Sequence, residues 1–193
     1  GEIRRWNDAS AAVKSAPAII LPGGWSYQDR IRAGVVAAKD KVLDDVIQAA
    51  DRGVPVIGIC NGAQVLVETG IVPGFEHGRI DVALAPNQMT GRVGYYCNWV
   101  YVKKGPARNL FTDFMEERPD DPLPIPLAHG EGRFVTSNES VRAHFEKGEG
   151  VALTYCTPSS TTATQFPENP NGAQFSIAAL TNPQGNVLAI MPH

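Results

Sequence analysis

Residues 54–67, Val-Pro-Val-Ile-Gly-Ile-Cys-Asn-Gly-Ala-Gln-Val-Leu-Val, constrain the fold more than any other stretch. The first half is an apolar run of strand length, as expected of a strand covered on both faces in a parallel sheet. The second half reads as a helix, and the change falls at Cys60 with no linker. Gly58 and Gly62 stand two residues to either side, supplying the small neighbours that a sharp strand-to-helix turn needs where the backbone folds back. Such a turn pushes its central side chain out of the sheet. The N–H groups at the start of the helix then face the sulfur and favour thiolate. A buried structural cysteine in a βα unit is the competing reading of this segment taken alone.

The surrounding pattern repeats the same architecture. A strand over 18–21 stops at Pro22-Gly23-Gly24, and Asp40 is placed to cap a helix whose Val42, Leu43, Val46, Ile47 and Ala50 share one face. Gly53 ends that helix, and the helix after Cys60 runs to Gly70. Strand, helix, strand, helix with short turns predicts an α/β fold with a parallel sheet. Further strands are expected over 93–103, 151–155, 176–180 and 187–191. The turn at 182–185 joins the last two as a hairpin, so the sheet is mixed. Residues 119–126 and 158–172 read as surface loops.

Composition narrows the function classes. A chain of 193 residues, 43% hydrophobic and 19% charged, makes one ordinary globular domain. A net charge of -3 gives no electrostatic case for nucleic acid or an anionic membrane surface. No run approaches the roughly 20 apolar residues of a membrane span, and no signal segment is evident. Three cysteines, Cys60, Cys97 and Cys156, form neither a disulfide framework nor a zinc spacing, which suits a reducing, cytoplasmic setting.

A cysteine nucleophile needs a base and an oxyanion hole. The backbone N–H of Asn61 follows the nucleophile directly, and the Pro22-Gly23-Gly24 loop can aim a second N–H from the neighbouring strand end. On its own that loop is a plain β-to-α turn more often than an oxyanion loop. Four histidines are available as base. His144 sits in a charged, solvated helix and His77 in a glycine-rich turn, whereas His129 follows an apolar strand and His193 ends one. His193 belongs to the same sheet edge as Cys60.

These residues converge on a known family. Residues 21–34, 58–66, 128–133, 169–172 and 182–193 together resemble the class I (triad) glutamine amidotransferases. More narrowly they are similar to the glutaminase subunits of phosphoribosylformylglycinamidine synthase, an enzyme of de novo purine (IMP) synthesis. Gly-x-Cys-x-Gly at 58–62 is shared across the class. The Ser-Tyr-x-Asp segment at 26–29 and His-Gly-Glu-Gly-Arg at 129–133 carry the narrower match. The resemblance implies a flavodoxin-like, mixed, mostly parallel sheet with helices on both faces. It implies that Cys60 attacks the side-chain amide of L-glutamine with His193 as base, that Gly24 and Asn61 form the oxyanion hole, and that Gln64 contacts substrate. Gly23, His129 and Glu131 join the substrate-binding candidates. No cofactor is expected in this chain. A large synthetase subunit would use ATP and Mg2+ with the released ammonia, and a small third subunit belongs to the same expectation.

Three departures from the family pattern stand out. The resemblance puts a third triad carboxylate two positions past the histidine, beyond His193, and a first strand ahead of the region matching residues 1–16. The sequence therefore reads as one glutamine amidotransferase domain, 1–193, lacking both pieces. Trp25 replaces the usual phenylalanine. Two other classes compete with the glutaminase reading. A flavodoxin-like cysteine hydrolase of the intracellular protease/chaperone-like group would need an acid near the cysteine and no terminal histidine. A catalytically silent scaffold subunit would not need to keep Cys60, Gly24 and His193 together.

Overall fold

The computed structural model of the protein describes residues 9–118 and 120–193. Residues 1–8, part of the region ahead of which the family strand was expected, lie outside the described residues. Helix α1 (Ser10–Ser15) precedes strand β1 (Ile19–Leu21), helix α2 (Lys41–Asp51), strand β2 (Val56–Ile59) and helix α3 (Asn61–Glu68). Three short strands follow, β3 (Ala83–Ala85), β4 (Gln88–Met89) and β5 (Arg92–Val93). Then come β6 (Tyr96–Lys104), β7 (Leu123–His129) and β8 (Arg133–Val135). Helix α4 (Glu139–Glu146) and strands β9 (Val151–Cys156), β10 (Ile177–Thr181) and β11 (Val187–Ile190) complete the order.

The main sheet runs β1-β2-β11-β10-β9-β6-β7, and it is mixed as expected. Its parallel share is smaller than the strand–helix alternation suggests: β1–β2 and β2–β11 are the parallel ladders, and the remaining four are antiparallel. The reason is connectivity. The tight turn after Thr181 can only return antiparallel, and once β10 lies against β11 the strands beyond it follow the same meander.

The helices also concentrate on one side. All four α-helices contribute to one core, through Val13, Val42, Leu43, Val46, Leu66, Val141 and Phe145, among others. The second core is built from strand and loop residues, including Val102, Leu127, Leu153 and Tyr155. The antiparallel strands β9 and β10 are buried on both faces, giving Val151, Ile177 and Leu180 to the helix-side core and Leu153, Tyr155 and Ala179 to the other. The helix faces cover the parallel strands and the adjoining face of β9 and β10, where each buried Val or Leu stabilises by up to about 1.5–3 kcal/mol.

Two local expectations are corrected. In the stretch 119–126, residue 119 lies outside the described residues and only 120–122 are loop: Leu123 onward is strand β7, paired with β6 from Leu123↔Val102 to His129↔Tyr96. Pro124 and Pro126 are tolerated because β7 is the edge of the sheet, where a missing N–H breaks no ladder. Asp40 occupies the N-cap of α2 but makes no side-chain cap bond. Its carboxylate instead accepts the Tyr27 hydroxyl, at 2.8 and 2.9 Å.

Candidate active site

The site lies beyond the carboxyl ends of the three parallel strands, where open α/β sheets bind their ligands. Register aligns Leu21 of β1 with Gly58 of β2, and Ile59 of β2 with Ile190 of β11. The loops leaving these strands consequently meet: 22–24 from β1, Cys60 from β2 and 191–193 from β11. Cys60 donates its N–H to Ile190 at 2.9 Å, and its carbonyl accepts the first helical bond, from Gln64 N–H at 3.1 Å. Between these two bonds its backbone adopts φ 52°, ψ -108°, a sparsely populated conformation that turns the thiol away from the sheet.

The two flanking glycines allow that turn. A Cβ on Gly58 would meet the carbonyl oxygen of Gly62 at 2.5 Å, and one on Gly62 would meet the carbonyl oxygen of Leu21 at 2.0 Å. Helix α3 can lie this close to β1 and β2 only with bare backbone at both positions. A Cβ on Gly23 would stand 3.4 Å from Cys60 Cβ and 3.8 Å from His193 Cε1, so the thiol and this imidazole flank the same point.

The backbone N–H groups of Asn61 and Gly24 are the two donors on the Cys60 side of the cleft that act to lower the thiol's pKa. Burial pushes the thiol up from its usual range, these two donors pull it down, and the Asp29 carboxylate adds to the upward push. The net effect is a raised pKa, which favours the protonated thiol. Asp29 itself is raised, by burial first and then by the Glu131 carboxylate across the cleft. The cleft measures about 360 Å³, and Cys60, Gln64, Asp29, His129, Glu131 and His193 lie on its walls.

Side-chain amides tie these walls together. Asn61 accepts the Ser26 N–H at 3.1 Å and donates to Gln64 Oε1 at 2.9 Å and to Asp29 Oδ1 at 3.4 Å. Gln64 Nε2 in turn donates to the Glu131 carbonyl at 2.6 Å. Asn87 anchors the far wall, donating to the carbonyls of His129 and Gly94 at 2.7 and 3.1 Å. With its NH2 so used, Asn87 Oδ1 must be the acceptor for Gly132 N–H and for His129 Nδ1–H, at 3.3 and 3.1 Å. His129 therefore carries its proton on Nδ1. Burial, followed by the charge of His193, lowers its pKa to about 4, so it is neutral, and Nε2 has no partner.

The sequence-derived candidates Cys60, His193, Gly23, Gly24, Asn61, Gln64, His129 and Glu131 are thus all placed in or against one cleft. His144 and His77 are not among its walls. His144 stacks on Phe75 at 4.3 Å between ring centroids and pairs with Glu149.

Comparison with known proteins identifies the family. Residues 3–193 match the CobB/CobQ-like glutamine amidotransferase domain. The chain is 40% identical to phosphoribosylformylglycinamidine synthase subunit PurQ of Methanothrix thermoacetophila, covering 100% of this chain and 75% of that protein. It is 37% identical to the same subunit of Pyrococcus horikoshii, covering 100% and 76%. The chain belongs to the PurQ group of glutamine amidotransferases. A chain in the PurLQS structure from Thermotoga maritima superposes with a TM-score of 0.68 at 33% identity, over 92% of this chain and 68% of that one.

Within this family fold, four contributors to the site were not apparent as such from the sequence. Asp29 was visible in the Ser-Tyr-x-Asp segment, but its approach to Cys60 depends on a loop where Tyr27, Gln28, Asp29 and Ile31 all take positive φ. Asn87 carries no local signal, because its partner His129 is 42 residues away. Arg32 and Glu68 form a two-pronged ion pair, both arms 2.6 Å, that pins the segment after the Gly24 loop to α3. A glutamate directly after the apolar run Val65-Leu66-Val67, at the end of α3, was the available clue.

Proposed function

We propose that Cys60 is the nucleophile of a glutaminase whose ammonia feeds an ATP-dependent synthetase making phosphoribosylformylglycinamidine in de novo purine synthesis. The observation that carries this reading is a cysteine on a strained strand–helix turn whose Cβ and the His193 imidazole flank the same glycine, with backbone N–H groups from two loops acting on its thiol. That constellation suits acyl transfer from a carboxamide.

The chemistry follows from the placement. Cys60 Sγ adds to the side-chain carbonyl carbon of glutamine while His193 takes the thiol proton. The carbonyl oxygen becomes an oxyanion and receives the Gly24 and Asn61 N–H groups, each worth about 3–4 kcal/mol in such holes. Collapse breaks the C–N bond, His193 returns the proton to the leaving nitrogen, and ammonia departs from a γ-glutamyl thioester. Water, deprotonated by His193, then adds to the thioester, releasing glutamate and restoring the thiol. The N–H groups that offset burial at the sulfur serve the oxyanion in each tetrahedral intermediate.

Gly23 leaves the space between thiol and imidazole free, and Gln64, Glu131 and His129 line the part of the cleft that would hold the amino-acid end of glutamine. ATP and Mg2+ belong to the synthetase in this reading, and a small third subunit completes the assembly. The Thermotoga maritima assembly named PurLQS supports such a partnership. A cytoplasmic setting accords with the family. Among the described residues no helix is long and apolar enough to cross a membrane.

Treatment with a glutamine-analogue affinity label, followed by peptide mass spectrometry, is expected to give a single adduct on Cys60. In the assembled complex Cys60→Ala should lose glutamine-dependent synthesis and keep synthesis from free ammonium. Retained glutamine-dependent activity in that variant would end the nucleophile assignment.

A further inference from the structure

The aim of the Gly24 N–H is not set by side-chain packing in its own loop. Gly24 sits at φ +143°, a conformation open to glycine alone, and a Cβ built there would meet nothing within 4 Å. Trp25 beside it is 74% exposed, and the buried Ser26 hydroxyl has no partner. The peptide that presents one of the two oxyanion donors is therefore not held by packing. Within the loop Gln28 N–H bonds the Trp25 carbonyl at 3.2 Å, and the tether that joins this stretch to the nucleophile helix is the bond from Ser26 N–H to Asn61 Oδ1 at 3.1 Å, two residues along the chain. Other ties, from Tyr27 to Asp40 and from Arg32 to Glu68, act farther down the loop.

Asn61 suits this task for a structural reason. It is 5% exposed at the first position of α3, directly after the nucleophile, so its side chain moves with Cys60. Its orientation is fixed at the other end, because its NH2 donates to Gln64 Oε1 at 2.9 Å and Gln64 Nε2 is committed to the Glu131 carbonyl. An amide locked in this way presents its oxygen, not its nitrogen, to the Ser26 N–H. The chain of bonds thus runs from the far wall of the cleft, through two side-chain amides, to the oxyanion loop.

We propose that the Asn61 side chain is a positioning residue for the oxyanion hole, clamping the Gly24 loop to the nucleophile helix through the Ser26 N–H. Its backbone supplies one donor of the hole, and its side chain sets the aim of the other. The inference rests on the glutaminase reading above. It predicts a loss confined to steps that build an oxyanion.

The test compares two reactions of the same thiol. Glutamine hydrolysis passes through tetrahedral oxyanions, whereas alkylation of Cys60 by iodoacetamide is a direct displacement that forms none. In Asn61→Ala, saturating glutamine turnover in the synthetase complex should fall about 10- to 100-fold, the range expected for a hole with one donor misaimed. The high-pH plateau of the alkylation rate should stay within about twofold, since thiolate is then fully formed whatever its hydrogen bonds. Asn61→Ser, also too short to reach Ser26 and well suited to a helix start, replaces it if the alanine variant does not fold. Turnover unchanged in a folded variant would overturn the proposal. So would a parallel fall in turnover and alkylation plateau, which marks a general collapse of the site. A wild-type protein that neither hydrolyses glutamine in its complex nor takes the affinity label on Cys60 would instead refute the glutaminase reading itself.

Discussion

Replacing Gly62 with alanine tests whether the nucleophile turn is built as tightly as the structure indicates. The new Cβ would lie 2.0 Å from the Leu21 carbonyl oxygen and 2.6 Å from its carbon, against ordinary contact beginning near 3.4 Å. Both opposing atoms are backbone of β1, and β1 is held in register by β2, so no side chain can rotate aside. Helix α3 must retreat by roughly 1.4 Å, or β1 must bend away, in an interior packed like a crystal. Overpacking of this kind costs about 1–3 kcal/mol, and sometimes more where backbone is involved. The gain in helix propensity from Gly to Ala offsets at most about 1 kcal/mol. A net loss of about 2 kcal/mol should lower Tm by about 4–8 °C in a chain of this size.

Activity should suffer more than stability. The same retreat carries Cys60 and Asn61 away from Gly24, and a misplacement near 1 Å can cost on the order of 100-fold in turnover. Thermal unfolding and glutamine hydrolysis, measured on the same preparation, check both expectations. Gly130→Ala is the stability control: its Cβ would meet only Tyr95 backbone, at 3.9 and 4.0 Å, so its stability should stay within about 0.5 kcal/mol of wild type. A Gly62→Ala protein with wild-type Tm and turnover would refute the packing argument and, with it, the account of how the turn is held.

Two further outcomes are expected. His129 is 3% exposed and its pKa falls from 6.5 to about 4, so the folded state resists its protonation. The unfolded chain binds the proton first. Stability from this group is complete above about pH 6.5 and is lost as pH falls toward 4, by at most about 3 kcal/mol. His129→Asn should remove that part of the acid sensitivity in a pH series of denaturant titrations, and an identical pH profile would contradict it. Arg32→Ala leaves Glu68, 2% exposed, without its cation. A destabilisation of about 2 kcal/mol is expected, at the low end for a stranded buried carboxylate because the Arg32 side chain is 43% exposed. Adding Glu68→Gln should recover part of the loss, and no recovery would argue against the ion pair as its cause.

The parts of the site that were legible share one property: their cause is local. Cys60 between Gly58 and Gly62, after an apolar run and before a helical one, specifies its own turn, because the steric demand acts over four residues. The Pro22-Gly23-Gly24 stop and the terminal strand leading to His193 were readable in the same way. Asn61 came through position, directly after the nucleophile, and Gln64 through the family resemblance.

Properties that depend on distant pairing were not legible. Prolines at 124 and 126 indicated a loop, since nothing in the chain announces that the strand carrying them lies at an edge. Asp40 had the right residue type and place for a cap, yet Tyr27, brought over by a left-handed turn, captured its carboxylate. The parallel share of the sheet was overestimated because βα alternation describes the first half of the chain, whereas the antiparallel second half supplies most of the ladders.

The sequence by itself determined a reactive cysteine on a strand–helix turn, an α/β sheet to hold it, and the family to which both belong. Tertiary structure alone decided what surrounds that cysteine. It brought the Gly24 and Asn61 N–H groups to act on one thiol, set Asp29 against Glu131, and fixed the tautomer of His129 through Asn87. The physical reason is range. Turns and helix starts are set by sterics between near neighbours, whereas the charge and hydrogen-bond environment of a thiol is set by groups that only folding brings within a few ångströms.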